Sequence, residues 1–182
     1  MLARRLKIAE APLLQALRLV IDADSPEKMG YPWQRKQALL PEQITLELTN
    51  QKFAAYGAFI EDRLVGAASI GPTTDVPNWF GLFAVGVIPE FRGRKISRIL
   101  VDLCLTHATD REAEGVILIV NVPNPVAKSL YDSLGFEIWN TAECAYIYEG
   151  IQYNQLKMRK FLKRAYPIYQ TKVTEEHFLF KG

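Results

Sequence analysis

The sequence predicts a single α/β domain, a mixed central sheet of about seven strands flanked by helices, with a short C-terminal extension. Three observations lead there. Trp79 to Val87 and Gly115 to Val122 are almost wholly apolar runs, the character of strands covered on both faces in the middle of a parallel sheet. Between them Ile96, Ile99, Leu100, Leu103 and His107 recur at helical spacing, which makes a strand–helix–strand unit. The length, 182 residues, suits one well-buried core and is short for two.

Taken in order, Leu6 to Ala11 reads as a first strand. Pro12 then opens a helix over Leu13 to Ala23, with Leu14, Leu17 and Ile21 on one stripe. Asp22 to Leu40 is rich in Gly, Pro and aromatic residues and reads as a loop. Pro41 starts a second short helix carrying Ile44, Leu46 and Leu48. Phe53 to Thr73 alternates as a hairpin whose two arms are joined by Glu61, Asp62 and Arg63. The central helix is expected from about Gly93 to Thr109. After the second buried strand comes a helix from Pro125 to Leu134. Asn124 suits its cap, Pro125 its first turn, and Gly135 a left-handed exit. Phe136 to Tyr148 and Gln152 to Lys160 complete the strands. The domain is expected to occupy residues 1–162. Residues 163–182 form an extension that is an extra strand, a cover over a site or an oligomer contact, a homodimer being one option.

Composition narrows the function classes. A formal charge of +2 is too small to imply a nucleic-acid or membrane partner. Glu10, Gln15 and Arg18 interrupt the apolar N-terminal run, so it fits neither a signal peptide nor a membrane span. Cys104 and Cys144 stand alone, without the spacing of a disulfide framework or a metal site, which fits a reducing, cytoplasmic compartment and no bound metal.

The chemistry is expected where the central helix begins. In Val-Ile-Pro-Glu-Phe-Arg-Gly-Arg-Lys-Ile-Ser-Arg-Ile-Leu, Pro89 ends the strand and Gly93 supplies a turn. A helix start exposes unpaired N–H groups and carries about half a positive charge, so it binds anions. Arg92, Arg94, Lys95 and Arg98 add four cations to that end, an arrangement that favours an anionic ligand over an empty helix terminus. A second pattern follows about thirty residues later: Asn124, Ala127, Leu130, Tyr131, Gly135 and Phe136, with Asn124 and Tyr131 on one side of their helix, two turns apart.

These two segments together resemble the GNAT superfamily of N-acetyltransferases. The first is similar to the family's Q/R-x-x-G-x-G/A turn, with Lys95 where the family usually has Gly and Ser97 where it has Gly or Ala. The resemblance implies acetyl-CoA as acyl donor. The backbone of Arg92, Gly93, Arg94, Lys95, Ile96 and Ser97 would hold its pyrophosphate, and Val85 and Val87 would pair with its pantetheine arm. It also implies that Asn124 contacts the pantetheine region, that Lys128 reaches the adenosine phosphate, and that Tyr131 protonates the departing thiolate. The acceptor would be a primary amine of a small molecule or peptide, attacking directly.

No carboxylate lies on the strand where the family often keeps its base. Glu61, Asp75, Glu90 and Glu143 are candidates without a decisive feature, and no base is assigned. His107 reads as a packed core residue. Tyr31, Trp33 and Arg35 fall in the loop expected to meet the acceptor. Two alternatives keep the fold. One is acyl transfer from a longer acyl-CoA or an acyl-carrier protein, which the basic run Lys157, Arg159, Lys160, Lys163 and Arg164 would suit. The other is acyl-CoA binding without turnover.

Overall fold

The computed structural model describes residues 1–28, 40–74 and 76–162. Their strands are β1 (Leu2–Arg5), β2 (Ala54–Ile60), β3 (Arg63–Pro72), β4 (Trp79–Val87), β5 (Gly115–Val122), β6 (Glu137–Tyr148) and β7 (Ile151–Phe161). The α-helices among the described residues are α1 (Ala11–Asp24), α2 (Pro41–Thr49), α3 (Ile96–Asp110) and α4 (Pro125–Ser133). One seven-stranded sheet runs in the order β1-β2-β3-β4-β5-β7-β6. It is mixed: β4 and β5 are parallel, and every other neighbouring pair is antiparallel. The expected fold class therefore holds.

Two boundaries differ from expectation. The first strand is Leu2–Arg5, not Leu6 to Ala11. The Glu10 carboxylate accepts from the Lys7 N–H at 2.7 Å and from the Arg4 guanidinium at 2.6 and 2.8 Å. These bonds curl Ile8–Glu10 into a single 3-10 turn and leave Leu2–Arg5 to pair with β2. The central helix begins at Ile96, not Gly93, because Gly93 and Lys95 hold φ of 76° and 60°, which no right-handed helix contains. The hairpin forms where expected, but its connection is only Glu61 and Asp62, at φ of 48° and 64°, the primed geometry that matches strand twist. Arg63 already belongs to β3 and pairs with Ile60.

Helices cover both faces. A Cβ on Gly86 would lie 2.7 Å from Ile21 of α1, so that face of β4 is packed by α1. A Cβ on Gly66, the β3 neighbour of Val87, would lie 3.4 Å from Ile96 of α3, so alternate residues face α3. Leu100, Val101 and Cys104 of α3 are fully buried there, with Val65 and Ile70 of β3 and Val116 of β5. On the α1 face, Arg18 of α1 donates to Glu47 of α2 and to Ser69 of β3, all at 2.9 Å, and Ser69 donates to Glu47 at 2.6 Å. Leaving one charge of this group alone in the interior would cost several kcal/mol, so the pair fixes how both helices dock.

Candidate active site

The feature that positions the site is a parting of the sheet. β4 and β5 pair only at Trp79 with Gly115, Phe80 with Val116, and Gly81 with Ile117. Beyond Gly81 the two strands separate, although β4 continues to Val87 and β5 to Val122. The cause is local. Ala84 has φ of 50°, and the ladder with β3 slips between Ala67 and Ser69, so β4 carries a bulge that turns it from β5. From Leu82 onward the β5-facing edge of β4 is a strand edge opened inside the sheet. Val85 and Val87, expected to pair with a pantetheine arm, lie on this stretch; Val87 also pairs with Gly66 of β3.

The turn expected to bind an anion stands at the open end. Pro89–Phe91 make a short 3-10 turn, then Gly93 and Lys95 cross the left-handed region before α3 starts. Among the described residues, the backbone N–H groups of Gly93, Arg94, Lys95, Ile96, Ser97 and Arg98 meet no acceptor. A side-chain carbon on Gly93 would have nothing within 4 Å, so the space in front of the turn is open. These residues fit a diphosphate: a row of donors on a helix N-terminus with its approach clear.

The four cations divide. Arg92 does not point into this space: its Nε donates to the Val87 carbonyl at 3.0 Å and its Nη2 to the Asp24 carboxylate at the end of α1. Arg94 lies over the Phe91 ring at 5.0 Å, and Arg98 donates to Ser133 Oγ at 3.1 Å. Lys95 is exposed, and its αL backbone takes over the conformation a glycine would supply.

Helix α4 is built as its sequence indicated. Asn124 Oδ1 accepts from the Ala127 N–H at 3.2 Å, and Gly135 exits at φ of 80°. Tyr131 is buried against Phe136, ring edge to face at 5.7 Å. Burial, and after it the neighbouring Cys104 thiol of α3, push its phenol above the ordinary tyrosine range, so it is a protonated hydroxyl at neutral pH. Lys128 is engaged with Asp132 one turn on, at 2.7 Å.

Beyond the parting, the α1 face carries both apolar and polar groups. Phe83 of β4 and Ile119 of β5 are each 38% exposed there. Deeper, Asn121 Nδ2 donates to the Tyr146 hydroxyl at 2.8 Å and to the Glu27 carbonyl at 3.0 Å, and Gln155 donates to Asn121 Oδ1 at 3.0 Å. The Tyr146 hydroxyl donates to the same Glu27 carbonyl at 2.6 Å. None of these polar residues stood out in the sequence, since an Asn or Gln inside an apolar strand carries no periodic signal.

Among the base candidates, Glu61 sits in the hairpin turn, Glu90 is 3.9 Å from Arg63 on the surface, and Glu143 is exposed on β6. Asp75, Tyr31, Trp33 and Arg35 lie outside the described residues, as do Lys163 and Arg164. His107 is a packed core residue, as read: 4% exposed, with Tyr56 Oη 3.2 Å from its Nδ1.

With this geometry in view the comparisons can be placed. The profile of the acetyltransferase (GNAT) family matches residues 17–136. The chain belongs to the GNAT acetyltransferase family, whose members are acyltransferases. Mycothiol acetyltransferase of Thermobifida fusca is 40% identical over 60 residues, 33% of this chain and 19% of that protein; the match spans about a fifth of such relatives. Among solved structures, ribosomal-protein-alanine N-acetyltransferase from Brucella melitensis superposes with a TM-score of 0.74 at 27% identity, covering 89% of this chain and all of that one (100%). PaiA N-acetyltransferase from Thermoplasma acidophilum, solved with coenzyme A, gives 0.68 at 18% identity over 88% and 98%, a likeness of fold. No helix among the described residues is long and apolar enough to cross a membrane.

Proposed function

We propose that the chain transfers an acetyl group from acetyl-CoA to a primary amine of a small molecule or peptide, by direct attack and without a covalent acyl-enzyme. The observation that carries this reading is the parting of β4 from β5 after Gly81, with the acceptor-free amides of Gly93 to Arg98 at its open end. In this reading those amides hold the donor's diphosphate, and the free edge of β4 around Val85 and Val87 pairs with the amides of its arm. Asn124 caps α4 and thereby holds Tyr131 in place. The Tyr131 hydroxyl donates a hydrogen bond that stabilises the departing thiolate. Because the thiol is the stronger acid in water, roughly 8.5 against 10, net protonation of the sulfur is completed by the proton that the acceptor nitrogen loses on attack. Cys104 is buried and Cys144 lies on β6, so neither is placed to carry an acyl group.

Calorimetry with acetyl-CoA and free CoA, followed by turnover of an amine panel, tests the reading. Micromolar or tighter binding with amine-dependent release of CoA is expected. Binding without release of CoA for any amine would leave an acyl-CoA-binding domain instead.

A further inference from the structure

On the α1 face, the floor beside the parted strands pairs an apolar surface with a cation that has no counter-ion among the described residues. Ile119 of β5 is the cross-strand partner of Lys157 on β7, so their side chains share that face within about 5 Å at Cβ. Phe83 and Ile119 are exposed on β4 and β5, inner strands of the sheet, an unusual place for bare apolar side chains.

The other basic residues of β7 are committed. Arg159 Nε donates to Glu137 at 2.8 Å, and Lys160 Nζ donates to the Leu134 carbonyl at the end of α4, also at 2.8 Å. The run that looked in sequence like a basic patch therefore comes down, among the described residues, to Lys157. That residue is half-buried, its ammonium 6.0 Å from the centre of the Trp139 ring, and no carboxylate pairs with it there. A lysine whose stem is half-buried beside an apolar floor, with no carboxylate next to it among the described residues, presents its ammonium to an anion that enters there.

We infer that Lys157 determines acceptor selectivity by binding a carboxylate of the amine substrate, with Ile119 and Phe83 receiving the carbon skeleton between carboxylate and amine. This rests on the transferase reading above. It assigns the acceptor a class, amines bearing a carboxylate, and makes Lys157 a binding residue of the acceptor, separate from the donor turn.

The test uses the full chain and matched probes: glycine, β-alanine and glycylglycine, each against its C-terminal amide. Acetylation from acetyl-CoA gives an acid-over-amide ratio of kcat/KM for each pair, and calorimetry on the CoA-saturated protein gives the same ratio for binding. Comparing ratios between variants cancels the intrinsic difference in amine nucleophilicity. The wild-type ratio should fall at least about tenfold in Lys157→Met, the scale of one lost charged hydrogen bond, and reverse in Lys157→Glu. The KM for acetyl-CoA should stay unchanged in both. An acid-over-amide binding ratio that is the same in wild type and Lys157→Met overturns the inference, whatever the turnover. A Lys157-dependent binding preference without acetylation of any probe would instead sink the transferase reading and leave the carboxylate site standing.

Discussion

Arg92, the first residue of the turn proposed to hold the donor's diphosphate, gives its guanidinium to Asp24, the last residue of α1. The Ser25 hydroxyl, which donates to the same Asp24 oxygen at 2.6 Å, and after it the arginine hold this carboxyl below the ordinary aspartate range. A cation that the sequence assigned to the ligand is thus spent on joining the donor turn to the helix that leads into the acceptor side. Asp24 is also a negative charge held close to a site for an anion. Asp24→Asn should therefore tighten free CoA a few-fold, while Arg92→Gln loosens it. Because the pair is largely solvent-exposed, the coupling in a double-mutant cycle of stability should stay below about 1 kcal/mol. Calorimetry and urea unfolding of the three variants read both effects.

Tyr131→Phe keeps the ring that packs on Phe136 and removes only the hydroxyl. kcat for amine acetylation should fall by about 10²–10⁴, the usual contribution of a positioned general acid, with donor affinity and melting temperature little changed. Unaltered turnover in this variant would remove the acid assignment.

Lys95 and Ala84 both sit where a side chain is strained, at φ of 60° and 50°. Relief of that strain by glycine should outweigh the added chain entropy, so Lys95→Gly and Ala84→Gly should each stabilise by about 0.5–1 kcal/mol in urea unfolding. Ala84→Val should do the opposite by at least as much, because a β-branched residue tolerates positive φ least. Loss of the bulge would also let β4 close toward β5, so the valine variant should bind CoA more weakly.

His107 should make stability fall as pH drops from neutrality. Its ring is held down to about 4, first by burial and then by the Arg111 charge, and Tyr56 and Arg111 both present donors to its Nδ1. As pH falls through about 6.5 the unfolded chain takes up a proton that the folded ring refuses until about 4. The stability present above pH 6.5 is therefore lost across that interval, on the order of 1–2 kcal/mol by pH 5. Urea midpoints at pH 7 and pH 5 should differ less in His107→Phe than in the wild-type protein.

The layout was legible wherever local chemistry and tertiary packing agree. The apolar runs at Trp79 and Gly115, the Asn124 cap and the Gly135 exit each read the same way in sequence and in space. Legibility failed where one long-range bond overrides a local pattern. Leu6 to Ala11 read as a strand, but the Glu10 carboxylate curls that segment. Arg92 and Lys160 looked like free cations because nothing in the chain around them announces Asp24 or the Leu134 carbonyl. Lys95 looked like a defect in a glycine motif. The backbone shows a lysine adopting the glycine's dihedral angles, a substitution that composition alone cannot weigh.

The Glu27 carbonyl, which receives both Asn121 and Tyr146, lies just past α1, and α1 packs on the β3–β4 half of the molecule. Its two donors belong to β5 and β6, on the other side of the opening. Two hydrogen bonds thus tie the jaws of the wedge together at a point where no ladder does. If the proposed transfer takes place in this opening, its width is set by side-chain amide and phenol groups, and Asn121→Ala or Tyr146→Phe should widen the range of amines acetylated in a panel assay.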